Sequence, residues 1–185
     1  MTNRETDEYR ALRDTIRERG TARHWIALVG LVVWAVLTIA LAAMASAPVL
    51  TLIPLLLLAA SFEIVFTLHT AVERVGRYIQ VFHEDDHDLA AWEHVAMAYG
   101  RTFGGGGIDA LFSPLFATAT LFNLVPLLLG GPAAADWAIV AAAHALFVAR
   151  IASARRASAR QRAIDLERFA RLKAERTTGN SARHT

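Results

Sequence analysis

From Trp25 to Ala47 the chain carries no charged residue, and a run of that length meets the roughly 20 apolar residues that a bilayer crossing requires. Inside lipid every backbone N–H and C=O must find its partner within the protein, so a lone apolar run of this kind folds as a helix. Three more runs follow. From Val49 to about Val72 the only acid is Glu63, and Pro48 separates this segment from the first. Ala110 to Leu129 is uncharged, and after the turn-forming Gly130-Gly131-Pro132 an alanine-rich segment extends from Ala133 to Ala154. Asp136 and Arg150 lie near the ends of that last run, and Arg150 is expected to snorkel to the interface with its stem along apolar surface.

The expected fold class is therefore all-α: an integral membrane four-helix bundle in one membrane domain, with crossings at 25–47, 49–72, 108–129 and 133–154. Ala45-Ser46-Ala47 resembles a signal-peptide cleavage site. However, the run exceeds the usual apolar core of about 7–15 residues and follows a charged tail, so an uncleaved helix is expected.

The composition agrees: 55% hydrophobic and 19% charged residues coexist only if the two kinds are segregated in blocks. The absence of cysteine excludes disulfides, thiolate catalysis and Cys-ligated zinc or iron–sulfur centres. Of the 19 Lys and Arg residues, six precede the first crossing, three (Arg74, Arg77, Arg101) lie between the second and third, and ten follow from Arg150 onward. The turns around Pro48 and 130–135 have none. By the positive-inside rule this places both termini and the middle loop in the cytoplasm, with the protein in the inner membrane.

Three segments outside the crossings are expected to form amphipathic cytoplasmic helices. In 1–24, Tyr9, Leu12 and Ile16 recur at helical spacing, and the helix is expected to end near Gly20. In the basic tail 155–185, Ile164, Leu166, Phe169 and Leu172 stand among arginines, with Thr177 to Thr185 expected to be disordered. Such a tail can bind anionic lipid head groups or pack on the N-terminal helix or a partner. With one aromatic and no recognisable reading module, it is a poor nucleic-acid binder. In 73–107, Leu89, Trp92, Val95 and Tyr99 suggest a surface helix, and Gly104 to Gly107 a hinge. The glycines lack the Lys-Ser/Thr of a phosphate loop.

Glu63 leads the candidates for chemistry, because a carboxyl within a transmembrane helix is costly and marks a functional site by default. Glu63, Thr67, Thr70, Arg74 and Arg77 form one polar stripe, and counted depth suggests that Glu63 meets His144 more easily than Asn123. His83 and His87 at i and i+4, with Glu84, Asp88 or His94, could hold a divalent metal. His83-Glu84-Asp85-Asp86-His87 also matches the letters of a zinc-protease motif, with Glu93 or His94 as a further ligand, but without its helical context. His69 and His144 are a second ligand set, as axial ligands of a haem. Trp137, Ala141, Ala145, Ala149, Ser153 and Ala157 run at i+4 as a small-residue seam suited to close helix packing.

The first expectation for function is a non-enzymatic membrane protein acting by helix association, with itself or another membrane protein. The second is proton or cation transport centred on Glu63, and the third is metal or haem binding.

Overall fold

The computed structural model describes residues 3–44, 47–84, 95 and 109–181, and among these the chain is helical without a strand. Helix α1 spans Asn3–Ala43, a 3-10 turn spans Pro48–Thr51, and α2 spans Leu52–Phe82. Two short helices follow, α3 (Ser113–Phe122) and α4 (Val125–Leu129), and then α5 (Ala134–Ser181). Three helices, α1, α2 and α5, are long and apolar enough to cross a membrane.

Several boundaries differ from the expected ones. Gly20 does not end the first helix. It sits in the interior of α1 with open space around it, and one interior glycine costs only about 1 kcal/mol relative to alanine. The expected third crossing is not one helix. Pro126 lacks the N–H that would reach Phe122, and its ring crowds that carbonyl, so the chain breaks at Asn123-Leu124 into α3 and α4. The start of α3 lies at Ser113, set by Phe112 in the left-handed region (φ 51°) and by the Asp109 carboxylate accepting the Leu111 amide at 2.9 Å. The fourth crossing and tail form one helix, which continues through 177–181 where disorder was expected. Asp136 lies in its first turn and accepts the Ala133 amide at 3.0 Å. This acid is a helix cap, placed where the helix dipole favours it.

Contacts divide the chain into two units. The apolar unit holds α1 from Thr21, α2 up to His69, α3, α4 and α5 up to Arg156. Its core gathers Ala27, Leu55, Leu58, Phe62, Val65, Phe116, Phe147 and Ile151. Phe62 lies edge-on to Phe116 (5.4 Å) and Phe147 (6.0 Å), the geometry that aromatic quadrupoles favour. Helices α1 and α2 touch where Gly30 meets Ser61. A β-carbon on Gly30 would collide with the hydroxyl and β-carbon of Ser61, so only glycine permits this approach.

The polar unit holds α1 up to Gly20, α2 from Thr70 and α5 from Ala157. Tyr9, Leu12 and Ile16 are half-buried there. Tyr78 and Phe82 of α2 pack against Phe169 of α5 at 5.7 and 6.3 Å. The inward face of the tail is carried by Asp165 and Phe169, while Ile164 and Leu172 are exposed. The tail therefore uses its inner face to pack on α2.

Candidate functional site

The most densely bonded polar group of the apolar unit is Asn123, fully buried at the break between α3 and α4. Its amide nitrogen donates to the Thr51 carbonyl at 2.9 Å and lies 3.1 Å from His144 Nε2. Its amide oxygen accepts Trp34 Nε1–H at 3.0 Å. Thr38 Oγ1 lies 3.4 Å away but has one hydrogen, and this goes to the Trp34 carbonyl at 2.9 Å. His144 Nδ1 is 2.7 Å from the Val140 carbonyl. A carbonyl only accepts, so Nδ1 carries the proton and Nε2 accepts from Asn123. One side chain thus ties α1, the 3-10 turn, the α3–α4 joint and α5 together, with both amide hydrogens and the amide oxygen used.

Glu63 does not meet His144, the partner that counted depth suggested. It takes Arg150 instead: Nε donates to Oε1 at 2.7 Å and Nη2 to Oε2 at 2.8 Å. This is a bidentate pair with the guanidinium 4.9 Å from the Phe66 ring. Arg150 accordingly pairs within the protein, where snorkelling was expected. The side chains remain 46% and 37% exposed, so the pair lies at the surface of the unit within two apolar runs.

The other residues of the expected stripe go to separate partners. Thr67 is exposed and Thr70 half-buried. In the polar unit Arg74 is exposed, 3.7 Å from Asp165. Arg77 is buried, donating to Asp165 at 2.8 Å and to Glu73 at 2.9 Å. Arg162 and Gln161 complete the cluster, on Glu73 at 3.3 Å and Asp165 at 2.7 Å. Sequence reasoning missed Asp165. Its signal is the inward spacing Gln161, Asp165, Phe169, a helical face that begins with polar residues.

Of the expected metal ligands, His83 lies between the Tyr9 and Tyr78 rings at 5.8 and 5.7 Å, with Nε2 3.9 Å from the Glu8 carboxylate. Glu84 turns to Arg13 at 3.7 Å. His87, Asp88 and His94, together with Glu93 and the glycine run, lie outside the described residues. Among the described residues no three His, Asp or Glu side chains converge on a point that could hold a metal ion. The two haem candidates have separate partners. His69 Nδ1 accepts from Arg23 at 3.2 Å, whereas both ring nitrogens of His144 are occupied as described.

The small-residue seam faces outward. Trp137, Ala141, Ala145, Ala149, Ser153 and Ala157 are all exposed, whereas Val140, His144, Phe147, Ile151 and Ala154 are buried. Ala138, Ala142 and Ala152 extend the outward face.

No family model matches the chain, and no curated protein or solved structure matches it.

Proposed function

We propose that this chain is a multi-pass protein of the cytoplasmic membrane that works by helix association, as a small homo-oligomer or a subunit of a larger membrane complex. The observation that carries this reading is the outward alanine face of α5. Lipid is served equally well by leucine, and alanine is favoured where a second helix must come close. The Glu63–Arg150 pair supports the same reading, because a half-exposed ion pair within apolar runs gains from being covered by protein. Cysteine replacing Ala145 should form disulfide-linked dimers in native membranes, and Ala145→Cys with Ala149→Leu should lose most of them. A strictly monomeric product from the single variant in intact membranes, with no cross-link to any other membrane protein either, would overturn the reading.

The broken stretch 113–129 forms the third of four crossings in this proposal, and both termini are cytoplasmic. Cysteine introduced at Ala134 should react with an impermeant reagent from outside, and one at Ser181 should not. The reverse labelling would invert the orientation.

A second reading, proton or cation transport, draws on Glu63 itself, a partly exposed carboxylate whose charge is held by a single arginine. Glu63→Gln keeps shape and polarity but cannot titrate. If transport is the function, ion flux in proteoliposomes falls to the background level in this variant while insertion is unchanged. Flux equal to the parent's would remove the transport reading.

A further inference from the structure

The Asn123 cluster has a property that a purely structural cross-brace does not need: every hydrogen is assigned, and the assignment holds only while His144 is neutral. Val140 O fixes the proton on Nδ1, leaving Nε2 to accept from Asn123. A second proton on His144 would enter at Nε2 and set an N–H donor against the Asn123 amide donor 3.1 Å away. Rotating the amide by half a turn would offer His144 an oxygen. It would also turn the NH2 toward Trp34 Nε1–H and the amide oxygen toward the Thr51 carbonyl, donor on donor and acceptor on acceptor. One proton therefore breaks either the His144 bond or the other two.

Two of these residues, Trp34 and Thr38, also line a groove. An apolar recess of about 250 Å³ between α1 and the α3–α4 joint is formed by Trp34, Ala35, Thr38, Ile39, Phe122 and Val125. Trp34, its aromatic wall on α1, is held by Asn123, and Phe122 and Val125 flank the joint that Asn123 closes. None of the groups bonded in the cluster is charged: Trp34 and Thr38 come from α1, Thr51 from the 3-10 turn, Asn123 from the joint and Val140 from α5. Of the charged side chains that α2 and α5 carry within their apolar runs, Glu63 and Arg150 neutralise each other and Asp136 accepts the Ala133 amide at the start of α5.

We infer that His144 is a proton-operated latch: neutral, it holds the α3–α4 joint closed on Trp34 and the 3-10 turn, and protonated, it releases the joint and opens the groove. The proton is taken from solvent onto Nε2, and no bond other than hydrogen bonds changes. This inference stands apart from the association reading, since it concerns the interior of a single copy.

The test uses the full chain in lipid nanodiscs with Trp34 as the only tryptophan (Trp25→Phe, Trp92→Phe, Trp137→Phe). Its emission should move to longer wavelength as pH falls from 8 to 4.5, reversibly. The ratio of the two states should change about tenfold per pH unit, as one proton requires. His144→Gln, which cannot titrate, should hold Trp34 emission constant over the same range. Unchanged emission in the parent, or the same titration in His144→Gln, would overturn the latch. A measurement without any variant at the cluster guards against misfolding. Nitrogen-15 spectra of the His144 ring at pH 8 should show the Nδ1–H form, and the Nε2–H form there would equally overturn the inference.

Discussion

Asp165→Ala should loosen the tail of α5 from α2 by about 3–5 kcal/mol, the cost of leaving a buried charge without its partner. Asp165 and Arg77 are almost wholly enclosed, with side-chain exposures of 6% and 2%. Arg77 also bonds Glu73, so part of its charge stays compensated and the lower end of the range applies. The readout is amide hydrogen exchange of the α5 residues around 161–169 in the full chain. A local change of about 3 kcal/mol corresponds to about 150-fold faster exchange, up to the limit set by global opening. Replacing the pair together, Arg77→Met with Asp165→Leu, should recover most of the loss, because two packed apolar side chains carry no desolvation penalty. Exchange unchanged in the single variant would show that the pair does not hold the tail. A double variant no better than the single would show that the loss comes from the missing attraction of the pair and not from an uncompensated charge.

The sequence carried well that α1, α2 and α5 hold runs of crossing length, because that requirement is local, and it carried the helix ends poorly, since α1 runs through Gly20, α5 runs on into the tail and 113–129 is broken. It carried the rotation of each helix poorly. The seam at i+4, a spacing that drifts about 40° per step around a helix of 3.6 residues per turn, lies on the outward side of α5 and does not mark the face that packs within the protein. The buried set Val140, His144, Phe147, Ile151 and Ala154 alternates steps of four and three, the 3.5-residue period of a packed seam. That period was present in the sequence, disguised by alanines on the opposite side. Partner choice failed for a related reason. Depth counted along the runs favours His144 over Asn123 as the partner of Glu63, but depth ignores which way each side chain faces. It also treated 108–129 as a straight helix, which Pro126 forbids. Arg150 is expected to snorkel because a long cation near a helix end can reach water along apolar surface. In the structure a bidentate carboxylate is within reach and wins. Gly30 gave no signal alone. It becomes readable only with Ala27 and Thr38, which share its buried face.

Asn123→Leu should be the most damaging single change in the apolar unit, because the leucine fills similar space but satisfies none of the groups around it. Trp34 Nε1–H, the Thr51 carbonyl and His144 Nε2 would each lose the bond that Asn123 makes. An orphaned buried polar group costs about 1–3 kcal/mol, and measured hydrogen bonds inside membranes average about 0.6 with a maximum near 1.7 kcal/mol. Three such losses come to about 2–4 kcal/mol. Two further variants divide that total by chemistry. Asn123→Asp keeps an acceptor for Trp34 and its carboxylate can accept from a protonated His144, leaving the Thr51 carbonyl as the one group without its donor, so it should cost less than Asn123→Leu. Thr38→Val should cost little, about 0.5 kcal/mol, because its hydroxyl proton is already spent on the Trp34 carbonyl within its own helix. Thermal unfolding in detergent, followed by near-ultraviolet circular dichroism of the aromatic side chains, ranks the three. A loss in Thr38→Val as large as that in Asn123→Leu would mean that Thr38, and not Trp34, is the group Asn123 exists to hold.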